Sequence, residues 1–229
     1  MEFTKLSNRL DLVASFVPDG ARLLDVGSDH AYLPIALLQE GKIEAAIAGE
    51  VVEGPYQSAL QNVADNGLEN KIEVRLANGL AAFEPTDGIS CITIAGMGGR
   101  LIADILAAGL VKLASVSRLV LQPNNREDEL RAWLVDNDFR IVDEAILEEN
   151  EKFYEILVVE QGSQELSAKE LRFGPYLMQE QAPAFVQKWS KEVEKLAFAL
   201  EQVPVENQSA RASLEERIAH IKEVLHVSK

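Results

Sequence analysis

The chain is poor in the features that mark secreted or membrane-embedded proteins. Cys91 is its one cysteine, so no internal disulfide can form. Its neighbours Ile89, Ile92 and Ile94 read it as a thiol packed inside a strand. No apolar run approaches the roughly 20 residues a bilayer helix requires, and no basic segment followed by an apolar core opens the chain. A cytoplasmic protein with no membrane partner is expected. Three histidines without ligand spacing predict no metal site. Basic residues are also scarce, with 22 Lys and Arg against 37 Asp and Glu and a net charge of -15. Proteins that grip a phosphate chain draw on clustered cations, so this balance argues against nucleic acid. The acid is unevenly spread, however: through Gln164 there are 13 basic and 27 acidic residues, and from Glu165 onward 9 and 10. The C-terminal part is nearly neutral and can present a local basic face.

What is present is a globular composition, 47% hydrophobic over 229 residues, enough for one large core with an appendage. Leu6, Leu10, Val13 and Val17 predict an amphipathic helix from about Thr4 to before Pro18. Apolar runs then end near Gly27, Glu50, Asn78, Ala95 and Pro123, each followed by helical spacing, which predicts five parallel strands with crossover helices. Pro34 and Pro55 sit in first turns, and Gly41, Gly67 and Gly109 fall where helices should stop. Phe139 to Ile146 and Phe153 to Val159 are too close for a crossover and must form an antiparallel hairpin. The expected fold is therefore α/β, a Rossmann-like sheet of seven strands with the last pair antiparallel. Beyond Gly162 the pattern turns helical: Val186, Trp189, Val193, Leu196 and Leu200, then Leu214, Ile218, Ile221 and Leu225 after Pro204, step by three and four. Residues 1–162 read as one domain and 163–229 as a helical hairpin, either packed only on itself or serving as a partner-binding arm.

The corner Leu23-Leu24-Asp25-Val26-Gly27-Ser28-Asp29-His30-Ala31-Tyr32 runs from strand through turn to helix, where a nucleotide fits. A dinucleotide fingerprint needs glycines where Asp29 and Tyr32 stand, and Asp29 repels phosphate. Asp25, Asp29 and Glu50 on one sheet edge suit a ligand with an ammonium and a sulfonium but no phosphate, which describes S-adenosylmethionine. Glu50, 25 residues after Asp25, can accept from both ribose hydroxyls, and Asn78-Gly79 can read the adenine edge. Ala95-Gly96-Met97-Gly98-Gly99 clears side chains from the place where donor and acceptor meet. Gly27, Tyr32 and Val51 complete the expected cofactor wall. An Asn or Asp followed by two prolines and an aromatic, common where an exocyclic amine is methylated, is missing here. A ring nitrogen already aims its lone pair outward and needs positioning more than activation.

DVGSDHAYLP, Glu50, NGL, IAGMGG and LQPN, in that order, resemble the bacterial tRNA adenine N1-methyltransferases that act at position 22. Arg9-Leu10, the segment Asn150 to Tyr154 and a C-terminal helical hairpin fit the same layout. The resemblance implies a class I methyltransferase sheet, S-adenosylmethionine as cofactor, and an adenine in the D-arm of tRNA as substrate. A carboxylate or amide beside the amino group would stabilise the cation as it forms on such a base, and Asp29 or Asn124 are the candidates, with His30 holding the loop or shuttling a proton. Tyr32, Phe153 and Tyr154 become candidates for stacking, with Lys5, Arg9, Arg100 and Arg126 for phosphates. A monomer is expected. The alternative, favoured by acidity, is a small-metabolite methyltransferase whose helical arm is a lid or a dimer contact.

Overall fold

A computed structural model describes residues 4–226. Its sheet is built from β1 (Ala21–Val26), β2 (Ile43–Glu50), β3 (Ile72–Leu76), β4 (Cys91–Met97), β5 (Arg118–Pro123), β6 (Phe139–Glu149) and β7 (Lys152–Gln161). The spatial order is β3-β2-β1-β4-β5-β7-β6. β1 to β5 pair in parallel, and β7 enters antiparallel between β5 and β6. The chain order reverses beside β1, so a crevice opens at the carboxyl ends of β1 and β4, the usual ligand position in such sheets.

Helices α1 (Asn8–Ser15), α2 (Tyr32–Gln39), α3 (Glu53–Asp65), α4 (Gly99–Ala108) and α5 (Glu127–Asp136) lie among and cover the strands. The first begins four residues later than its apolar spacing predicts, because the Ser7 side chain caps it by accepting from the Leu10 N–H. Gly41 and Gly67 end α2 and α3 with φ of 71° and 65°, as expected of left-handed caps. Gly109 ends α4 for a different reason: its φ is -124°, but an added Cβ would press on Leu80 at 2.6 Å. The hairpin strands run longer than predicted. Asn150 and Glu151, with φ of 53° and 64°, form a two-residue turn that lets the ladder continue to Glu149 and Lys152. Cys91 is fully buried, as read, and burial pushes its thiol up to about 12.

After β7 come α6 (Ala168–Phe173), α7 (Pro175–Glu180), α8 (Pro183–Gln202) and α9 (Gln208–His226). The two short ones were not anticipated, since six residues show no period. Their signals are local, a reciprocal cap between Ser167 and Glu170 and Pro175 in a first turn. α8 and α9 bury Phe185, Trp189, Leu196, Ile221 and Val224 together with Phe173, Leu177 and Ile146 of β6. Val186, expected on that face, is exposed instead, and Phe185 takes its place.

The hairpin does not pack only on itself. Beneath it, the buried Arg131 guanidinium of α5 donates to Glu144 (2.7 Å) and Glu155 (2.5 Å), and Lys188 of α8 donates to Glu155 (2.7 Å) and Glu127 (3.1 Å). Glu144 also accepts the Tyr176 N–H at 3.0 Å. One buried ionic cluster thus joins α5, β6, β7, α7 and α8. Burial raises the Glu144 carboxyl, whereas at Glu155 Arg131 and Lys188 outweigh burial and hold it below its ordinary range.

Candidate active site

The turn after β1 is held in an uncommon conformation. Gly27 has φ 67°, and Asp29, His30 and Ala31 follow at 43°, 68° and 60°. Left-handed backbone costs a residue with a Cβ about 1–2 kcal/mol, so three in succession need support from outside the turn. That support is present. The N–H groups of Gly27 and Ser28 both donate to Gly49 O, at 2.9 and 3.2 Å, and the Asn62 amide donates to His30 O at 3.0 Å. Ala31 is fully buried.

Asp25 supports the turn from below. Its two oxygens accept from Ser28 Oγ (2.7 Å) and Thr93 Oγ1 (2.6 Å), and the residue is 4% exposed. Burial raises its carboxyl, and the two hydroxyls pull it partway back. Both oxygens of this expected cofactor residue are thus engaged within the protein.

Glu50 ends β2 at 5% exposure, and its Oε1 is buried without a hydrogen-bond partner. Burial raises this carboxyl; the Asp29 N–H works against that shift, and the charges of Asp25 and Asp29 add to it. Asp25, Asp29 and Glu50 therefore lie close enough together to feel one another's charge. An unpartnered buried acceptor costs about 1–3 kcal/mol, more when charged, and this oxygen can accept a hydrogen bond from a ligand. Val51 beyond it is exposed, and so are Tyr32 across the turn and Asn78 after β3. Asp29 stands at the rim, with its carboxylate 3.4 Å from His30 Nε2, and the His30 and Tyr32 rings lie 5.5 Å apart.

The other half of the site lies where β4 meets β5. Ala95 faces Gln122 and Met97 faces Pro123, so Gly96, at φ 78°, is the extra residue of a bulge. Asn124 Nδ2 donates to Gly96 O at 2.7 Å, and the Asn124 N–H donates to Met97 O at 2.7 Å. Any Cβ on Gly27 would strike the Met97 side chain, which keeps the turn after β1 tight against this bulge. Gly79, at φ 54°, lies against Ile105 in the same way. The structure thus places Asp29 with Glu50 and Asn124 with Gly96, on opposite sides of β4.

A cleft of about 750 Å³ runs from Asn124 and Asn125 to α8. Phe153, Tyr154 and Trp189 line it together with Lys152, Arg172, Lys188, Lys191 and Lys195. Of the predicted substrate contacts, Phe153 and Tyr154 are here, and Arg9 reaches the edge with its guanidinium 5.6 Å from the Tyr154 ring centre. Arg100 is instead exposed on α4 beside Asp104 (3.8 Å), Arg126 is exposed just ahead of α5 beside Glu129 (3.2 Å), and Lys5 is exposed ahead of α1. The lysines of α8 were missed. Their signal was legible, since Lys188, Lys191 and Lys195 step by three and four beside the apolar stripe.

The sheet order with its single reversed strand, an acidic turn after β1 without the glycines of a dinucleotide fingerprint, and a buried, unpartnered acid at the end of β2 define a class I methyltransferase. A profile of the tRNA (adenine(22)-N(1))-methyltransferase family matches residues 23–223. The tRNA (adenine(22)-N(1))-methyltransferase of Bacillus subtilis is 41% identical, with 98% of this chain and 99% of that one aligned. The crystal structure of Streptococcus pneumoniae Sp1610 superposes with a TM-score of 0.95 at 67% identity, covering 97% and 100% of the two chains. The same protein in complex with S-adenosyl-L-methionine gives a TM-score of 0.90 at 66% identity and the same coverage. The chain belongs to the tRNA (adenine(22)-N(1))-methyltransferase family.

Proposed function

We propose that the enzyme transfers a methyl group from S-adenosylmethionine to N1 of the adenine at position 22 in the D-arm of tRNA. The observation that carries this reading is the buried, unpartnered Glu50 Oε1 beside a turn of left-handed backbone. A ribose hydroxyl supplies the missing donor, and the absence of glycines at 29 and 32 leaves no seat for a pyrophosphate. When bound, the cofactor offers a methyl carbon on a positively charged sulfur.

The chain's own residues divide the remaining labour. Glu50 and Asn78 orient the nucleoside, with Val51 and Tyr32 as its apolar flank and Gly27, Gly79, Ala95 and Met97 leaving room for it. Asp25 holds the turn from beneath. Asp29, kept in place by His30, gives the cationic end of the cofactor a carboxylate. On the acceptor side, Asn124 Oδ1 lies at the mouth of the cleft, where it can accept from the adenine amino group. N1 forms the new bond as the carbon–sulfur bond breaks, and positive charge appears on the base. An oriented amide oxygen then stabilises that charge as it develops.

The Watson–Crick edge of a base in folded tRNA is at least partly covered, so the base must be turned out at a cost of a few kcal/mol. Stacking on Tyr154 or Phe153 offsets this by about 1–3 kcal/mol per base. Lys152, Arg172, Lys191 and Lys195 offer cations to the backbone beside Glu127, Asp128 and Glu192, so the cleft is far less acidic than the net charge of -15 suggests. Among the described residues no helix is long and apolar enough to cross a membrane, and no cluster of metal-ligating side chains occurs. We place the enzyme in the cytoplasm, acting as a monomer without a metal.

The test is to incubate the purified protein with unmodified tRNA transcripts and S-adenosylmethionine, then map the product nucleoside by mass spectrometry. N1-methyladenosine at position 22, absent from a transcript with guanine there, is expected. Methylation elsewhere, or of a small metabolite alone, overturns the reading.

A further inference from the structure

Gln122, the penultimate residue of β5, is fully buried, yet its side chain makes four polar contacts at the acceptor side of the site. Its Oε1 accepts from Arg9 Nη1 at 2.6 Å and from the Gly96 N–H at 3.0 Å. Its Nε2 donates to Pro123 O at 2.8 Å and to Asn124 Oδ1 at 3.2 Å. Asn124 Nδ2 in turn donates to Gly96 O. Gln122, Gly96 and Asn124 therefore close a ring of hydrogen bonds around one bulged residue.

The ring has a physical cause. A bulge removes a backbone unit from its ladder and leaves its polar groups to be satisfied elsewhere. At Gly96 both groups are taken by side chains, the N–H by Gln122 and the carbonyl by Asn124. Gly96 carries no side chain, and a Cβ there would sit 3.5 Å from Arg9 Nη1. The Arg9 guanidinium thus lies against the bulge and 5.6 Å from the centre of the Tyr154 ring. Three separate segments meet at one amide: α1 through Arg9, the end of β4 through Gly96, and the end of β5 through Asn124.

We propose that Gln122 is a positioning residue for methyl transfer: it fixes Asn124 and the Gly96 bulge relative to the methyl donor, and it ties Arg9, with the Tyr154 platform beneath it, to that same frame. This rests on the methyltransferase reading above. In-line displacement tolerates little misplacement, and a shift of about 1 Å can cost about 10²-fold in rate. An amide suits this place because it offers an acceptor to two donors at one end and a donor to two acceptors at the other. A carboxylate keeps the first pair of contacts and turns the second into repulsion between oxygens. An apolar side chain loses both.

The experiment compares Gln122→Glu, Gln122→Met and Arg9→Gln, and the double variant of Arg9→Gln with Gln122→Met. Four quantities are read: thermal stability, cofactor affinity by calorimetry, and kcat and KM with a tRNA transcript. Wild-type methylation of the transcript is the control, so failure of the underlying reading shows there first. Both single Gln122 variants should lose about 10²-fold in kcat while cofactor affinity stays within about fivefold. Arg9→Gln removes one donor from Gln122 at a half-buried position and should chiefly raise KM, with thermal stability read beside it. In the Arg9→Gln background, Gln122→Met should cost less than it does alone, since part of its effect passes through Arg9. Wild-type kcat in Gln122→Glu overturns the ring. Parallel losses of stability, cofactor affinity and kcat reduce Gln122 to a packing residue, and simple multiplication of the two single effects removes the link to Arg9.

Discussion

Replacing Glu50 by Gln changes one atom and should move two measurements in opposite directions. In the ligand-free protein the carboxylate is buried near Asp25 and Asp29, its Oε1 has no partner, and its proton is held more tightly than in an unfolded chain. A glutamate raised in this way is a burden on the fold when charged. The stability associated with its protonated form is fully present below 4.5 and is lost as pH rises through the raised folded value. The neutral amide removes that burden, so the melting temperature of the variant at pH 7 should equal or exceed that of the wild type. Cofactor binding should suffer instead. A hydrogen bond to a charged acceptor is worth about 1.5–3 kcal/mol, and at about 1.4 kcal/mol per tenfold, losing one raises Kd by about 10- to 150-fold. Titration calorimetry with S-adenosylmethionine reads the second quantity and thermal denaturation the first. Wild-type affinity should also fall as pH drops toward the raised value and Glu50 takes up its proton, a dependence the variant should lack. Unchanged affinity, or a fold weakened by more than about 1 kcal/mol, would refute the assignment of Glu50 to the ligand.

Two further perturbations test the C-terminal part. Arg131→Met leaves Glu144 buried without a cation and Glu155 with Lys188 alone, and urea unfolding should show a loss of about 3–5 kcal/mol, the usual cost of breaking a buried pair from one side. A loss under 1 kcal/mol means that the cluster does not fix the helices to the sheet. Lys191→Ala with Lys195→Ala should weaken tRNA binding and lower the slope of log affinity against log salt by about 0.7 to 0.9 per lost phosphate contact, with cofactor affinity unchanged. An identical slope in the variant removes these lysines from the interface.

The sequence by itself determined the element order and the chemistry of the ligand. Alternating runs and crossover spacing dictate a parallel sheet, because a strand's period of two and a helix's 3.6 leave different marks on the apolar pattern. The resemblance of DHAY, AGMGG and LQPN named the reaction, which no composition could have done. Short helices, turn types and the first residue of α1 were less legible, since each depends on a single cap or dihedral rather than on a period. Tertiary structure alone decided what each polar group faces. Asp25 and Glu50 look equivalent in sequence, yet Thr93 and Ser28 take up both oxygens of the first while one oxygen of the second is left without a partner. Gln122 reads as an ordinary strand end until Arg9, 113 positions away, is folded onto it. The lysines of α8 become a wall of the cleft only when the buried Arg131 cluster fixes that helix beside Phe153 and Tyr154. The reason is common to all three: hydrophobic periodicity is a local property of the chain, whereas the satisfaction of a buried polar group is settled by partners brought from distant segments.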